Sequence, residues 1–189
     1  MTDTDAMTDT QATAEAQATA EAQAMAEALG HPDARELLRS APLARLGYNG
    51  PDGLPRVIPI GFYWNGEHLV VCTATTAPKV RALTERPDVA VTIDAGDSPA
   101  TARSLAVRGV ATMETVDGVP EEYLLAASTK SRDGIDLAEF ERNVRAMYDR
   151  MVRISIEPRW ARFHHFGQGR MPAFLTKLAS DLGGGAQYT

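Results

Sequence analysis

An antiparallel, mainly β domain of barrel type, with short flanking helices, is the fold class the sequence predicts, and three observations carry it. About seven strand-like apolar runs are spread along the chain. Most are joined by a hairpin turn or by one short helix. The regular strand–helix alternation that a doubly wound parallel sheet requires is missing. Small barrels fill their own interiors with side chains, so a ligand is expected on the outside or between subunits.

The elements follow in chain order. Residues 11–28 read QATAEA, QATAEA, QAMAEA. Alanine and glutamine favour helix, yet no apolar stripe recurs at helical spacing. Residues 1–30 are therefore expected to be a disordered or weakly helical acidic tail, with a partner-binding helix as the alternative. A folded domain is expected over 31–170. HPDARELLRSA reads as a helix with Asp33 as cap and Leu37 and Leu38 inward. LARLGYNG reads as a strand and PDGL as a turn. PRVIPIGFYW is a strand interrupted by Pro59, and Asn65-Gly66 is the strongest hairpin signal, leading into EHLVVCT. A helix over about 77–86 precedes the strand DVAVTID. AGDSPATAR is a loop, and SLAVRGVATMETV is a long strand with Gly109 as a candidate bulge. Residues 119–150 form a helical insertion, VPEEYLLAAST and LAEFERNVRAMYDR, around the polar link KSRDGID. MVRISIE alternates, with Val152, Ile154 and Ile156 on one side. Pro158 is expected to end that strand, and RWARFHHFG to make the last one. Residues 171–189 are assigned a C-terminal helix and a glycine-rich tail.

Charge and composition exclude several classes. Six of the 25 acidic residues lie in the first thirty positions, which hold no base, so the remaining 159 residues carry 19 of each sign. A neutral body argues against nucleic acid or a membrane surface as partner, both of which need a basic excess. No apolar run approaches the roughly 18–20 residues of a membrane span. No basic, apolar leader opens the chain, and Cys72 is the only cysteine, so a cytoplasmic location is expected. Cys72 reads as a small buried filler, with a reactive thiol as the alternative.

The candidate chemistry centres on TATTAPKVRAL, residues 73–83. With Thr76 as cap, Ala77 and Pro78 take the first helical positions. Lys79 then opposes the helix dipole, at a cost of about 0.3–1 kcal/mol if exposed. A bound anion reverses that sign. Helix-start N–H groups, the hydroxyls of Thr75 and Thr76 and the Lys79 ammonium would together cradle a phosphate. The alternative is an ordinary solvated lysine. No nucleophile elbow, metal-spaced Cys/His set, dinucleotide fingerprint or P-loop is present, and no catalytic side chain is identified. His164 and His165 point to opposite faces if in a strand, and either a ligand or a structural role fits them. Trp160 and Arg162 share a face of the last strand, where they could flank a planar ring or belong to the core.

Taken together, RVIPIGFYWNGEHLVVCTATTAPKVRALTERPDVAVTID resembles the pyridoxamine 5'-phosphate oxidase-like split β-barrel family, over roughly residues 35 to 116, and IEPRWARF resembles its last strands more loosely. The resemblance implies a homodimer that binds FMN, or the deazaflavin coenzyme F420, in clefts between subunits and acts as an oxidoreductase on a small molecule. It places Arg56, Val57, Ile58 and Pro59 along the ring and phosphate, Thr73 after the second strand, Lys79 on the phosphate, and Trp160 of the partner chain near the ring. Where many members have Ser-Arg-Lys, this chain has Ala77-Pro78-Lys79, with Thr75 and Thr76 as stand-ins for the lost hydroxyl. The substrate-phosphate residues of true pyridoxamine phosphate oxidases are not matched. A non-catalytic flavin or haem carrier or sensor is the alternative function.

Overall fold

The structure, a computed structural model, describes residues 3–130 and 136–181. Most of the link between the inserted helices and the glycine-rich C-terminus lie outside the described residues. In chain order the elements are α1 (Asp3–Gly30), α2 (Pro32–Ser40), β1 (Ala44–Asn49), β2 (Pro55–Ile60), β3 (Tyr63–Trp64), β4 (Leu69–Ala74) and α3 (Pro78–Glu85). They continue with β5 (Asp88–Ala95), β6 (Arg103–Asp117), α4 (Glu121–Lys130), α5 (Leu137–Met147), β7 (Arg150–His165) and α6 (Ala173–Asp181).

The strands form one antiparallel sheet in the order β2-β1-β5-β6-β7-β4-β3. Alternate residues point inward. Leu46 of β1, Leu69 of β4, Ile93 of β5, Leu105 of β6 and Ile154 and Ile156 of β7 are all completely buried and belong to one core cluster. The edge strands β2 and β3 do not pair with each other, so the sheet curls around its core without closing. That is the split-barrel architecture the sequence predicts.

Four local expectations are refined or corrected. The N-terminal segment, expected to be a disordered or weakly helical tail, is helical from Asp3 to Gly30. Its last turns carry a short apolar stripe, Met25, Ala28 and Leu29, that packs on the core. Glu27 accepts a hydrogen bond from Arg170 at 2.8 Å. Upstream, Thr13 to Gln23 are exposed throughout, as the stripe-free repeat implies. Secondly, α2 is capped by His31, whose Nδ1 accepts from the Asp33 N–H at 3.2 Å. The Asp33 carboxylate is instead engaged by His165, whose Nδ1 donates to it at 2.9 Å. Thirdly, Pro158 does not end a strand. β7 runs through it, because Gly109 of β6 faces Pro158 while Arg108 faces Trp160, leaving Arg159 as an extra, bulged residue. A ladder interrupted there tolerates a residue without an N–H. A Cβ on Gly109 would lie 2.3 Å from the Glu157 carbonyl oxygen, which is why glycine stands opposite the bulge.

The fourth correction concerns α3. Its cap is Ala77, with no side-chain hydrogen bond. Thr76, the expected cap, lies in the exposed turn before it together with Thr75.

Candidate functional site

Opposite ends of the curled sheet meet at a cleft of about 630 Å³. Ile58, Pro59 and Ile60 of edge strand β2 line one side, and Val70, Cys72 and Thr73 of β4 the other. Pro59 is tolerated within β2 because that strand is hydrogen-bonded on one side only. Lys79 lines it from the first turn of α3. The inserted helices line it through Tyr123 of α4, Phe140 of α5 and Tyr148 just beyond it.

Among the described residues Lys79 is the single charged side chain lining the cleft. It is half-buried, and that burial lowers its pKa from the ordinary 10.5. Among the described residues no carboxylate or hydrogen-bond acceptor pairs with it. Arg81, two residues on, reaches Glu85 at 3.4 Å. The helix start also has no acidic residue in its first turn. A partly desolvated ammonium beside uncapped helical N–H groups is electrostatically incomplete, and an anion completes it.

The sequence-predicted residues divide into three groups. Ile58, Pro59, Thr73 and Lys79 come together in the cleft. Arg56, Val57, Thr75 and Thr76 lie beside it. The Arg56 guanidinium donates to Asp52 at 2.7 Å across the PDGL turn, and Val57 is 69% exposed on the open edge of the sheet. Trp160 is elsewhere, on the outer face of β7, flanked by Arg108 at 4.2 Å and Arg162 at 5.1 Å. Trp160 and Arg162 thus share a face as expected, but not a cavity with Lys79.

Residues of the insertion were missed by sequence reasoning. Tyr123 and Phe140 have ring centres 6.2 Å apart and planes 7° apart. The one usable signal was the spacing of Tyr123, Ala126 and Ala127, which sets them on one side of α4. Arg153 of β7 anchors this helix: its Nη2 lies 2.7 Å from Oε1 of Glu122 and its Nη1 donates to Ser155 Oγ at 2.6 Å. Burial pushes the Glu122 carboxyl up, but the Arg153 hydrogen bond and charge outweigh it, and its pKa falls below 4.5.

The remaining candidates are quiet. Burial, with the Glu122 charge, holds the Cys72 thiol at about 12, so it is an unreactive thiol in the cleft wall. His164 is kept below its ordinary value by burial, then by the charges of Arg170 and Arg162. Neither His164 nor His165 lines the cleft. Among the described residues no three His, Cys, Asp or Glu side chains are grouped to hold a metal ion, and no helix is long and apolar enough to cross a membrane. A larger groove, about 880 Å³, lies between α1, α2 and the β3–β4 hairpin. Its acids and bases are mixed: Arg39 is paired to Glu36 and Glu157 to Arg159, while Arg35 and Glu67 are exposed to solvent.

The model of the pyridoxamine 5'-phosphate oxidase family matches residues 31–162. No curated protein matches the chain significantly. Among solved structures, one named F420 reductase is similar at 27% identity and a TM-score of 0.51, covering 68% of this chain and 94% of that one. A conserved hypothetical protein of Mycobacterium tuberculosis is similar at 23% identity and a TM-score of 0.58, covering 74% and 87%. A protein related to general stress protein 26, from Clostridium acetobutylicum, has 16% identity and a TM-score of 0.50, covering 70% and 86%. The last two are likenesses of fold alone.

Proposed function

This chain belongs to the pyridoxamine 5'-phosphate oxidase family, and we propose that it is an oxidoreductase whose cleft holds FMN or coenzyme F420 with the cofactor phosphate on Lys79. The observation that carries this reading is the half-buried lysine, without a partner among the described residues, at an uncapped helix start. When bound, such a cofactor supplies hydride transfer, which accounts for a cleft with no nucleophile or acid–base pair. The chain's own residues then bind and orient. Lys79 and the α3 N–H groups neutralise the phosphate, while Ile58, Pro59 and Ile60 offer the ring a desolvated edge and Thr73 a hydroxyl. The cleft falls within the range of about 300–1,000 Å³ usual for cofactor and ligand sites.

FMN is the first occupant proposed. Coenzyme F420 is the second, favoured by the 27% identity with the structure named F420 reductase. A homodimer belongs to the same reading. Leu54 and Val57, at 60% and 69% exposure, leave apolar surface on the open β2 edge, which a second copy would cover, bringing its Trp160 toward the cofactor. A small-molecule substrate and a cytoplasmic setting complete the proposal. Arg56, Thr75 and Thr76, paired or exposed in the isolated chain, would serve the phosphate only after local rearrangement.

The test is a titration of the purified protein with FMN, coenzyme F420 and riboflavin, followed by absorbance and fluorescence. Lys79→Ala is expected to weaken the phosphate-bearing cofactor by about 10–100-fold, the worth of a charge-assisted contact, and to leave riboflavin within about twofold. Equal loss for both would remove Lys79 from the phosphate. A protein that binds neither cofactor, or that instead takes up haem with a Soret band, would overturn the oxidoreductase reading.

A further inference from the structure

Away from the cleft, two apolar surfaces of the chain lack a partner, one on a helix and one in a groove. The helix is α6. Phe174 and Leu178, one turn apart, are 70% and 51% exposed, and no other described strand or helix packs closely on it. Nine residues are too few to hold a helix in water unaided, since isolated helices below roughly 12–15 residues are marginal. The groove is the one of about 880 Å³ between α1, α2 and the β3–β4 hairpin, with Met25, Leu29, Tyr63, Trp64 and Pro158 in its lining. We propose that this groove seats α6 of a second copy of the chain, with Phe174 and Leu178 entering it as anchors.

Charge and chain geometry select that occupant. Arg35 and Glu67 in the groove lining are exposed, and neither side chain pairs with a described residue. On α6, Lys177 and Asp181 are likewise exposed and unpaired among the described residues. Each surface thus offers one unpaired cation and one unpaired anion, and the two sets answer each other. The chain's own α6 is held off. Arg170 is fixed by Glu27 at 2.8 Å, by the Phe163 carbonyl at 3.2 Å and by paired backbone hydrogen bonds with His165. Only Met171 and Pro172 separate it from α6. Two positions from each of Met25 and Leu29, Glu27 lies on the side of α1 away from them and from the groove they line. α6 therefore starts on the far flank of α1, and so short a link does not carry it across.

The test is sedimentation of the full chain, with crosslinking to locate the contact. Wild-type protein is expected to be a dimer. Phe174→Ser with Leu178→Ser should weaken it about tenfold or more, the worth of two large apolar side chains. Hydrogen exchange in β5 and β6 should stay as in wild type, showing that the variant is folded. Glu67→Cys protein mixed with Lys177→Cys protein should be joined by a short bis-maleimide into a species holding one of each. The Cys72 thiol, held at about 12, stays out of that reaction, so neither protein alone should crosslink. A chain carrying both cysteines should likewise join to a second copy. A crosslink that closes within one chain would overturn the inference, as would a monomeric wild type or mixed proteins that do not join. A dimer untouched by the serine pair would overturn it too, while leaving the homodimer of the cofactor reading in place.

Discussion

The cleft lining has two ends in sequence: a strand that turns into a helix and leaves Lys79 without a partner among the described residues, and inserted helices that bring aromatic rings. The first end is local in sequence. Thr73 and Lys79 are six positions apart, and the turn between them is closed by the Ala77 N–H on Ala74 O at 3.1 Å. The second end is assembled across long separations, with Glu122 held by Arg153, 31 residues on. The difference teaches that the anion site is built into the sheet framework, whereas the aromatic wall is an attachment held by a small apolar cluster around Val119, Val144 and Met151 and by one partly buried ion pair.

Perturbing the framework should disturb both ends together. Gly109→Ala drives a Cβ against the Glu157 carbonyl oxygen, and a loss of about 2–3 kcal/mol in urea unfolding is expected, as for other overpacked sites. Stability equal to wild type would mean that the bulge relaxes freely and that the two long strands are less constrained than their register indicates.

Perturbing the attachment should separate the ends. Arg153→Ala leaves the Glu122 carboxylate, 21% exposed, without its cation. A loss of about 1–3 kcal/mol is expected, with hydrogen exchange rising in α4 and unchanged in α3. Uniform acceleration across both helices would show that the wall is part of the framework after all. Acid offers the same separation by titration. The folded pKa of Glu122 lies below its ordinary 4.5, so its stabilisation is full above that value and is lost as pH falls through the lowered one. Exchange in α4 should therefore rise first on acidification, and Arg153→Ala should flatten that response.

The smallest effect is expected at the threonines. Thr75 and Thr76 are exposed and do not cap α3, so replacing both by alanine should change stability by less than about 0.5 kcal/mol. A melting curve shifted clearly downward would return a capping role to them.

The framework was largely legible in the sequence. Alternation in Val152, Ile154 and Ile156 and the Asn65-Gly66 hairpin rest on backbone geometry over a few residues, and each is found, while the bulge expected at Gly109 falls on Arg159 of the strand opposite it. The cation at the α3 start was legible for the same reason, although its cap was misplaced by one residue because Pro78 fits the first helical position as readily as the second. Legibility failed where a distant partner decides. His165 claims Asp33, so His31 becomes the cap of α2. The core accepts Met25, Ala28 and Leu29, so a repeat with no stripe of its own ends in a docked turn. A bulge opposite Gly109 lets β7 run through Pro158.

By itself, then, the sequence determined an antiparallel barrel-type domain and a basic helix start after its fourth strand, because periodicity, turn chemistry and helix-end electrostatics act over one or two turns of chain. Only the tertiary structure decided that Lys79 has no partner among the described residues, that β2 and β4 face each other across the cleft, and that Tyr123, Phe140 and Tyr148 line it with them. Those are matters of which surfaces a curled sheet brings together, and burial and pairing across long sequence separations leave no local pattern to read.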